Sequence, residues 1–313
     1  MSLFGRDPRH TWGAIRNAQL APIHFPSWQL RVYLADLALS HDRSNGSWTV
    51  PPRIVKKLMQ LGADIVHVTE RDVTRGGDYM SVPPRYWRYL VIDDASVEWF
   101  IVRDADSRLS ERDAAAVGAW VGDGEEAGVG GRGETEGALH CVRDHPKHVG
   151  MAVWEGLWGG RSTLMRTALR NEPVLSLVEK YLANTLNNFA YLTKLFSNAS
   201  SSPQNFTYKN SDNVTHDFLL DVIWRLLGDK ADCFDSVTCP PALRSYRVDV
   251  VRKRGEYLGQ KFDEHHELVL SDQLGENSTC SADTRVARTH GGSRLAAVQT
   301  PSNSSTSTSR SRA

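Results

Sequence analysis

Strand-like and helix-like segments alternate along the first half of the chain, and this order constrains the fold more than any other feature of the sequence. Between the first two strand-like segments, Pro51 and Pro52 open an amphipathic helix that ends at Gly62, because proline fits the first helical turn and glycine the last. Such alternation predicts an α/β fold with a mostly parallel sheet and flanking helices. The predicted strands cover residues 30–35, 63–68, 97–102 and 139–142, and further helices are predicted over 84–90 and 110–120.

From residue 122 onward the sequence changes character. Residues 122–137, rich in Gly and Glu, predict a solvent loop. Helical spacing of apolar residues predicts a long helix over 173–196 and a shorter one over 217–227, so the C-terminal portion is expected to be helical. Few large apolar residues remain beyond about residue 270. We therefore expect one domain over residues 1–270 and a disordered Ser/Thr-rich tail over 271–313.

The composition excludes several classes of protein. The 313 residues carry 37 basic and 37 acidic side chains, and zero net charge argues against a protein built mainly to bind nucleic acid, which needs a basic face. The apolar runs fall well short of the ~20 residues that a membrane-spanning helix needs. No apolar stretch follows Met1, so the sequence predicts neither a membrane span nor a signal peptide.

Two carboxylates follow the strongest strand-like segment of the chain. Asp104 and Asp106 come just after residues 97–102, at the sheet edge where ligands bind in open α/β folds. Because residues i and i+2 of an extended segment point to the same side, we expect both carboxylates to converge on one divalent cation, Mn²⁺ or Mg²⁺. Arg103 and Arg108 flank the pair and are predicted to clamp phosphate oxygens. The alternative is a turn with backbone-bonded Asp side chains and surface ion pairs.

Two other segments contain candidate site residues. Asp144 and His145 follow the predicted strand at 139–142, where Asp144 is a candidate general base and His145 a candidate substrate contact. A turn stabilised by Asp and Pro explains the same pair without a function. Trp158 and Gly159 are candidate substrate-binding residues, because Trp rings stack on sugar faces and Gly allows close backbone approach. Their alternative is a place in the core.

A series of segments resembles a family of glycosyltransferase-like proteins that occur in bacterial surface-polysaccharide contexts and in some eukaryotes. The resemblance runs from about Ser2 to Asp263, and its most specific part is the R-D-x-D-S-R block at 103–108 together with the R-D-H-P block at 143–146. The other matching segments are Y-W-R-Y at 86–89, W-E-G-L-W-G at 154–159, D-F-L-L-D-V-I-W at 217–224 and Y-L-G-Q-K-F-D at 257–263.

This resemblance implies a GT-A architecture and metal-dependent transfer of a sugar from a nucleotide-sugar donor to a glycan or other hydroxyl acceptor. It implies that Asp104 and Asp106 hold the metal, which neutralises the charge growing on the departing diphosphate. Asp144 is then the first candidate base and Asp217 the second. The family also has an apolar first strand, whereas here Ser2 follows Met1 directly, so we expect either a clipped gene model or an impaired nucleotide site.

Two alternatives to this function remain open. One is a phosphohydrolase of the haloacid-dehalogenase type, but that chemistry expects Thr or Val where Arg108 stands. The other is a catalytically inactive relative that binds a glycan or a partner. A further ligand is also considered: His265 and His266 follow Asp263 and are candidates to complete a metal shell, with a solvated charged turn as the alternative.

The distribution of Asn favours a secretory-pathway lumen, with a cytoplasmic location as the alternative. Six of the twelve Asn residues stand in N-x-S/T sequons. In such a compartment Cys233 and Cys239 are candidates for a short-loop disulfide. The sequons are at Asn45, Asn198, Asn205, Asn213, Asn277 and Asn303.

Overall fold

The computed structural model describes residues 1–35, 49–68, 82–122, 137–148, 151–183, 218–236, 245–246 and 257–269. Its helices include α1 (Pro8–His24), α2 (Pro52–Gln60), α3 (Glu111–Val121) and α4 (Ser162–Ala168). Its strands are β1 (Arg31–Ala35), β2 (Asp64–Val68), β3 (Trp99–Arg103), β4 (Leu139–Arg143), β5 (Leu157–Arg161), β6 (Ala231–Asp235) and β7 (Ser245–Tyr246). Pro84–Ile92 form a 3₁₀ helix, Leu219–Trp224 a π-helix that continues into Arg225–Leu227, and residues 174–183 are also helical.

The strands form two sheets. β1 and β2 make a two-stranded parallel sheet, and the other five are ordered β3-β5-β4-β6-β7. In the larger sheet β4, β6 and β7 are parallel, while β5 runs antiparallel between β3 and β4. The predicted α/β class with flanking helices is therefore confirmed, and its sheet is mixed because of β5, which the sequence analysis does not predict.

Local sequence patterns account for most of the predicted elements. Strands β1 to β4 and helix α2 lie where the periodicity predicts them. Helix α3 begins at Ser110, whose Oγ accepts a hydrogen bond from the N–H of Asp113 at 3.2 Å. It ends at Gly122, which adopts the left-handed φ of 87° that favours glycine.

Other predictions are met in part or lie outside the described residues. The helix predicted over 84–90 is a 3₁₀ helix, and the one over 217–227 is largely a π-helix. The long helix predicted over 173–196 is confirmed over 174–183, and the rest of it lies outside the described residues. So do most of the loop at 122–137 and the tail at 271–313. No helix of the described part is long and apolar enough to cross a membrane.

A cavity of about 490 Å³ separates the two sheets. Along its sides lie residues 28–31 and Tyr33 from the β1 side and residues 96–103 from the β3 side. Met1 lies in the same lining, and Ser2 forms a parallel bridge with Tyr33, so the first residues of the chain pair with β1 at one end of the cavity. The cavity therefore lies between residues of β1 and residues of β3, which belong to different sheets.

A disulfide joins two neighbouring strands of the larger sheet. Cys141 of β4 and Cys233 of β6 face each other in register and are bonded through their Sγ atoms. The short-loop pairing of Cys233 with Cys239 expected from the sequence is therefore wrong. The physical reason is that β4 and β6 are adjacent in the sheet, which brings together two cysteines that are 92 residues apart in the sequence.

We predict that replacing both cysteines, Cys141→Ala with Cys233→Ala, lowers the free energy of unfolding by about 2–4 kcal/mol, because the bridge closes a long loop of the unfolded chain. Urea unfolding followed by tryptophan fluorescence measures this change. A reducing agent should destabilise the wild type by a similar amount and leave the double variant unaffected. Equal stability of both proteins under oxidising conditions would contradict the pairing.

His140 is a buried titratable side chain in the core of the sheet. Its ring stacks on Trp120, and neither ring nitrogen has a hydrogen-bond partner among the described residues. Burial, with a smaller contribution from the charge of Arg103, holds the pKa of His140 well below its usual value of 6.5. The folded protein therefore contains this histidine in its neutral form.

Acid is expected to destabilise the fold through His140. Below pH 6.5 the unfolded chain takes up a proton that the folded chain does not, so stability falls as the pH falls, by at most ~1.4 kcal/mol per pH unit from this group. The apolar variant His140→Leu should lose that component of the pH dependence between about pH 6.5 and 5. Unfolding free energies measured across this range test it, and identical slopes in both proteins would exclude it.

Candidate functional site

Asp104 and Asp106 lie in the turn that directly follows β3, at its C-terminal end. The N–H and the Oγ of Ser107 both donate to the carbonyl of Asp104, at 3.3 and 2.9 Å, and close this turn. The two carboxylates converge on one cation, as the i, i+2 spacing predicts, but that cation is a side chain of the protein.

The cation is the ammonium group of Lys261, which lies between the two carboxylates. Its Nζ donates to Oδ2 of Asp104 at 2.8 Å and to Oδ1 of Asp106 at 2.7 Å. The side chain of Asp106 is 6% exposed, while those of Asp104 and Lys261 are about one-third exposed, at 30% and 34%. The contact is thus accessible to a ligand from one side.

The remaining carboxylate oxygens face other basic side chains. Arg88, on the 3₁₀ helix, donates to Oδ1 of Asp104 at 2.9 Å. Oδ2 of Asp106 faces Nε of Arg9 and Nε2 of His10, each at 3.7 Å. Each of the four oxygens therefore has a nitrogen neighbour. A third carboxylate, that of Glu155, lies 3.7 Å from Arg88, so three cationic side chains face three carboxylates.

These charges determine the ionisation of Asp104 and Lys261. Burial alone would raise the pKa of Asp104, but the charges of Lys261 and Arg88 outweigh it and hold this pKa well below its usual value. Burial alone would lower the pKa of Lys261, and the two carboxylates instead raise it. The contribution of Asp104 to the free energy of unfolding is lost only in strong acid. The contribution of Lys261 is lost only above its ordinary pKa of 10.5, so the contact persists at neutral pH.

Helix α1 packs against this turn and forms hydrogen bonds with its backbone. Nδ2 of the buried Asn17 donates to the carbonyls of Ala105 and Ser107, at 3.3 and 2.9 Å, and its Oδ1 accepts from the N–H of Leu109 at 3.0 Å. Gly13 allows the helix to approach this closely, because a Cβ there would lie 2.1 Å from the carbonyl oxygen of Ala105.

A second glycine bounds the turn on the side of β5. A Cβ on Gly156 would lie 2.3 Å from Oδ2 of Asp104. Any side chain at this position would therefore displace the carboxylate that Lys261 binds. Gly156, rather than Gly159, is the glycine of the W-E-G-L-W-G segment that borders the site.

Asp144 lies in a buried ion pair and does not present a base to solvent. Its two oxygens accept from Nε and Nη2 of Arg112, at 2.8 and 2.7 Å, and Oδ2 also accepts from the N–H of Leu258 at 3.0 Å. Its exposure is 0%. The predicted role as general base finds no support in this geometry. Asp144 instead anchors the segment that carries Lys261.

The two arginines of the R-D-x-D-S-R block have different environments. Arg103 is buried and makes a bidentate ion pair with Asp113 of α3, so the predicted phosphate clamp finds no support in the position of this residue. Its position in β3 directs it into the protein. Arg108 is half-buried, stacks on Phe262 at 4.7 Å and contacts Nδ1 of His266 at 3.1 Å. It remains a candidate for an anion contact beside the turn.

The predicted substrate-binding residues lie inside the protein. Trp158 is fully buried against Tyr89 and Phe100, and a Cβ on Gly159 would lie 2.4 Å from the carbonyl oxygen of Phe100. These residues serve the packing of β5 against β3, and this geometry gives the predicted substrate contacts no support. His145 is 5% exposed and packs against Tyr257, which leaves little of it for a substrate.

The last two candidates are Asp217 and the histidines that follow Asp263. Asp217 lies outside the described residues, so its predicted role as a base stays a prediction. Residues 263–267 form a turn in which Oδ1 of Asp263 accepts from the N–H groups of His265 and Glu267, both at 2.9 Å. The charged-turn alternative is confirmed, and the side chain of His265 points to solvent with 78% exposure.

Lys261, Arg88 and Asn17 are the residues that sequence reasoning missed. Arg88 and Lys261 stand within the matching segments at 86–89 and 257–263, yet nothing in those segments shows that they meet Asp104. Asn17 lies on α1, which is not predicted because Thr11, Gly13 and Asn17 occupy much of its buried face. Asp7 and Pro8, a capping residue followed by proline, are the pattern that would have located this helix.

The residues present do not fit a free divalent metal as the side chains stand. The oxygen donors are of the right type and converge, but Lys261 occupies the position between them. Within the described ranges, no group of three or more His, Cys, Asp or Glu side chains is placed to hold a metal ion.

No protein-family model, curated protein or solved structure matches this chain. Functional inference therefore depends on the sequence pattern and on the geometry of the site.

We predict that Asn17→Ala lowers the free energy of unfolding by about 1–3 kcal/mol, because it leaves buried backbone groups of the turn without their partner. Gln19→Ala, an exposed position on the same helix, is the matched control and should change stability by less than about 0.5 kcal/mol. Thermal and urea unfolding of both variants measure this difference. Equal effects of the two substitutions would show that Asn17 does not hold the turn.

Proposed function

We propose that this protein is a glycosyltransferase with a GT-A-like fold that transfers a sugar from a nucleotide-sugar donor to a hydroxyl group of a glycan or another acceptor. The observation that carries the proposal is the cluster at the end of β3, where basic side chains converge around Asp104 and Asp106. The mixed sheet with flanking helices supports such a fold, and the sequence resemblance supports the reaction class.

The position of the cluster favours a phosphorylated ligand. In open α/β sheets ligands bind beyond the carboxyl ends of the strands, and the cluster lies there. Lys261 is about one-third exposed and Arg9 is 42% exposed, so both present N–H donors to a ligand at this edge. A diphosphate carries several negative charges and is the part of a nucleotide sugar that these side chains recognise best.

The chemistry requires stabilisation of a leaving group. In glycosyl transfer the bond between the anomeric carbon and a phosphate oxygen breaks, the acceptor oxygen bonds to that carbon, and its proton passes to a base or to solvent. Negative charge grows on the departing nucleoside diphosphate. In this proposal Lys261, Arg88 and Arg9, which cluster at the end of β3, stabilise that charge, and this is the largest electrostatic demand of the reaction.

A second candidate function is binding of a glycan or partner without catalysis. Two observations favour it: Lys261 already neutralises the D-x-D pair, and Asp144 is sequestered by Arg112. In this alternative the site binds nucleotide or anion, but no sugar is transferred and no nucleotide sugar is hydrolysed.

The disulfide supports the lumenal location expected from the sequons. Bonds such as Cys141–Cys233 persist in oxidising compartments and are rare in the cytosol. We therefore propose a compartment of the secretory pathway, where glycan acceptors are also present.

A screen of nucleotide-sugar hydrolysis and transfer tests the enzyme proposal. The wild type, Asp104→Asn, Asp106→Asn and the exposed control Asp229→Asn are each assayed with Mn²⁺ and with EDTA. We expect activity in the wild type and the control, and a loss of about 10²-fold or more in the two site variants. Nucleotide binding without turnover in the wild type would instead establish the binding function.

A further inference from the structure

The ion contacts of Lys261 decide whether a metal ion or an ammonium group lies between Asp104 and Asp106. Mg²⁺ binds carboxylate oxygens at about 2.0–2.1 Å and would have to lie between Asp104 and Asp106 to bridge them. Nζ of Lys261 already lies 2.8 and 2.7 Å from the two oxygens that face each other there. An ammonium group and a bridging metal ion therefore compete for one position.

The remaining oxygens give a metal no alternative place. Oδ1 of Asp104 is bound by Arg88 at 2.9 Å, and Oδ2 of Asp106 faces Arg9 and His10 at 3.7 Å. A divalent ion at either oxygen would approach a guanidinium group closely, and like charges at such a distance repel strongly in a partly buried site.

The backbone keeps Lys261 at this position. The next residue, Phe262, donates its N–H to the carbonyl of Asp106 at 2.9 Å, and the carbonyl of Lys261 accepts from Val269 at 3.1 Å. Leu258, three residues earlier, donates to the buried carboxylate of Asp144. The backbone on both sides of Lys261 is therefore fixed, which keeps its ammonium group within reach of the two carboxylates.

We propose that Lys261 is the resident cation of the Asp104–Asp106 pair, that it excludes a free divalent metal from the site, and that the site binds a diphosphate group without metal. Lys261, Arg88 and Arg9 match the charges of Asp104, Asp106 and Glu155, the last of which lies 3.7 Å from Arg88. The partly exposed side chains of Lys261 and Arg9 still present N–H donors to an incoming anion. This inference deepens the proposed function by replacing the metal with a side chain, but it depends only on the ion contacts.

Two binding measurements, neither of which requires activity, test the inference. Mn²⁺ binding is followed by electron paramagnetic resonance, and inorganic pyrophosphate binding by calorimetry in EDTA. The wild type should bind pyrophosphate and show no Mn²⁺ site. Lys261→Met, which keeps the apolar stem, should bind Mn²⁺ at least about tenfold more tightly and lose pyrophosphate binding in EDTA by a similar factor. Added Mn²⁺ should restore pyrophosphate binding to this variant.

Three further variants keep the outcome interpretable. Lys261→Arg retains the charge and should still exclude Mn²⁺, and the exposed Lys57→Met should behave as the wild type in both assays. Lys261→Met with Asp104→Asn should lose the new Mn²⁺ site, which places it at the pair. Circular dichroism confirms that each variant is folded, and an unfolded Lys261→Met is replaced by Lys261→Gln.

The results separate this inference from the proposed function. Tight Mn²⁺ binding by the wild type, unchanged in Lys261→Met, would overturn the inference while leaving glycosyl transfer open. Pyrophosphate binding in EDTA that is equal in the wild type and Lys261→Met would overturn it as well. Confirmed metal exclusion without turnover of any nucleotide sugar would leave the inference intact and contradict the enzyme proposal.

Discussion

The ammonium group of Lys261 joins residues 257–263 to the turn after β3, and the arrangement of the site depends on this contact. Two carboxylates that converge in a partly buried turn would repel each other without a cation between them. Because Lys261 and Asp104 are about one-third exposed, removing one partner costs less than the about 3–5 kcal/mol typical of a fully buried pair, since water compensates part of the remaining charge. The same contact therefore stabilises residues 257–263 against the sheet and keeps the D-x-D turn in one conformation.

The turn is also held by parts that carry no charge. Asn17 binds its carbonyls from α1, and Gly13 and Gly156 allow a helix and a strand to lie directly against it. A turn confined in this way has few other conformations. Little conformational entropy is then lost when a ligand binds, which increases the affinity that a small number of ionic contacts can provide.

The fold was largely predictable from the sequence where the pattern is local. The strands at 30–35, 63–68, 97–102 and 139–142 and the cap at Ser110 follow from apolar runs and turn chemistry, and the structure has them at nearly the same positions. Strand β5 was not predictable in this way, because its Gly159 and Gly160 resemble a loop. They are accommodated in a strand only because β3 and β4 approach on either side.

The candidate site was predictable only in its acidic half. The i, i+2 spacing placed Asp104 and Asp106 side by side, but their cation comes from a residue 155 positions away from Asp106. Arg103 looks like a natural partner because it adjoins Asp104, yet neighbouring residues of a strand point to opposite faces, and it pairs with Asp113 instead. Asp144 was expected to be accessible because its partner, Arg112, lies 32 residues earlier in the chain and sequence reasoning did not bring the two together.

A cavity lies between β1 and β3, which belong to different sheets. One side is lined by residues of β1 and of the segment before it, and the other by β3 and the residues before it, with Met1 also in the lining. Strand edges carry N–H and C=O groups that form ladders with any extended backbone laid beside them. Met1 and Leu3 already use the backbone of Tyr33 in this way, because the N–H of Tyr33 donates to the carbonyl of Met1 at 2.9 Å and its carbonyl accepts from Leu3 at 3.0 Å. The first residues of the chain therefore extend the two-stranded sheet by one short parallel contact beside the cavity.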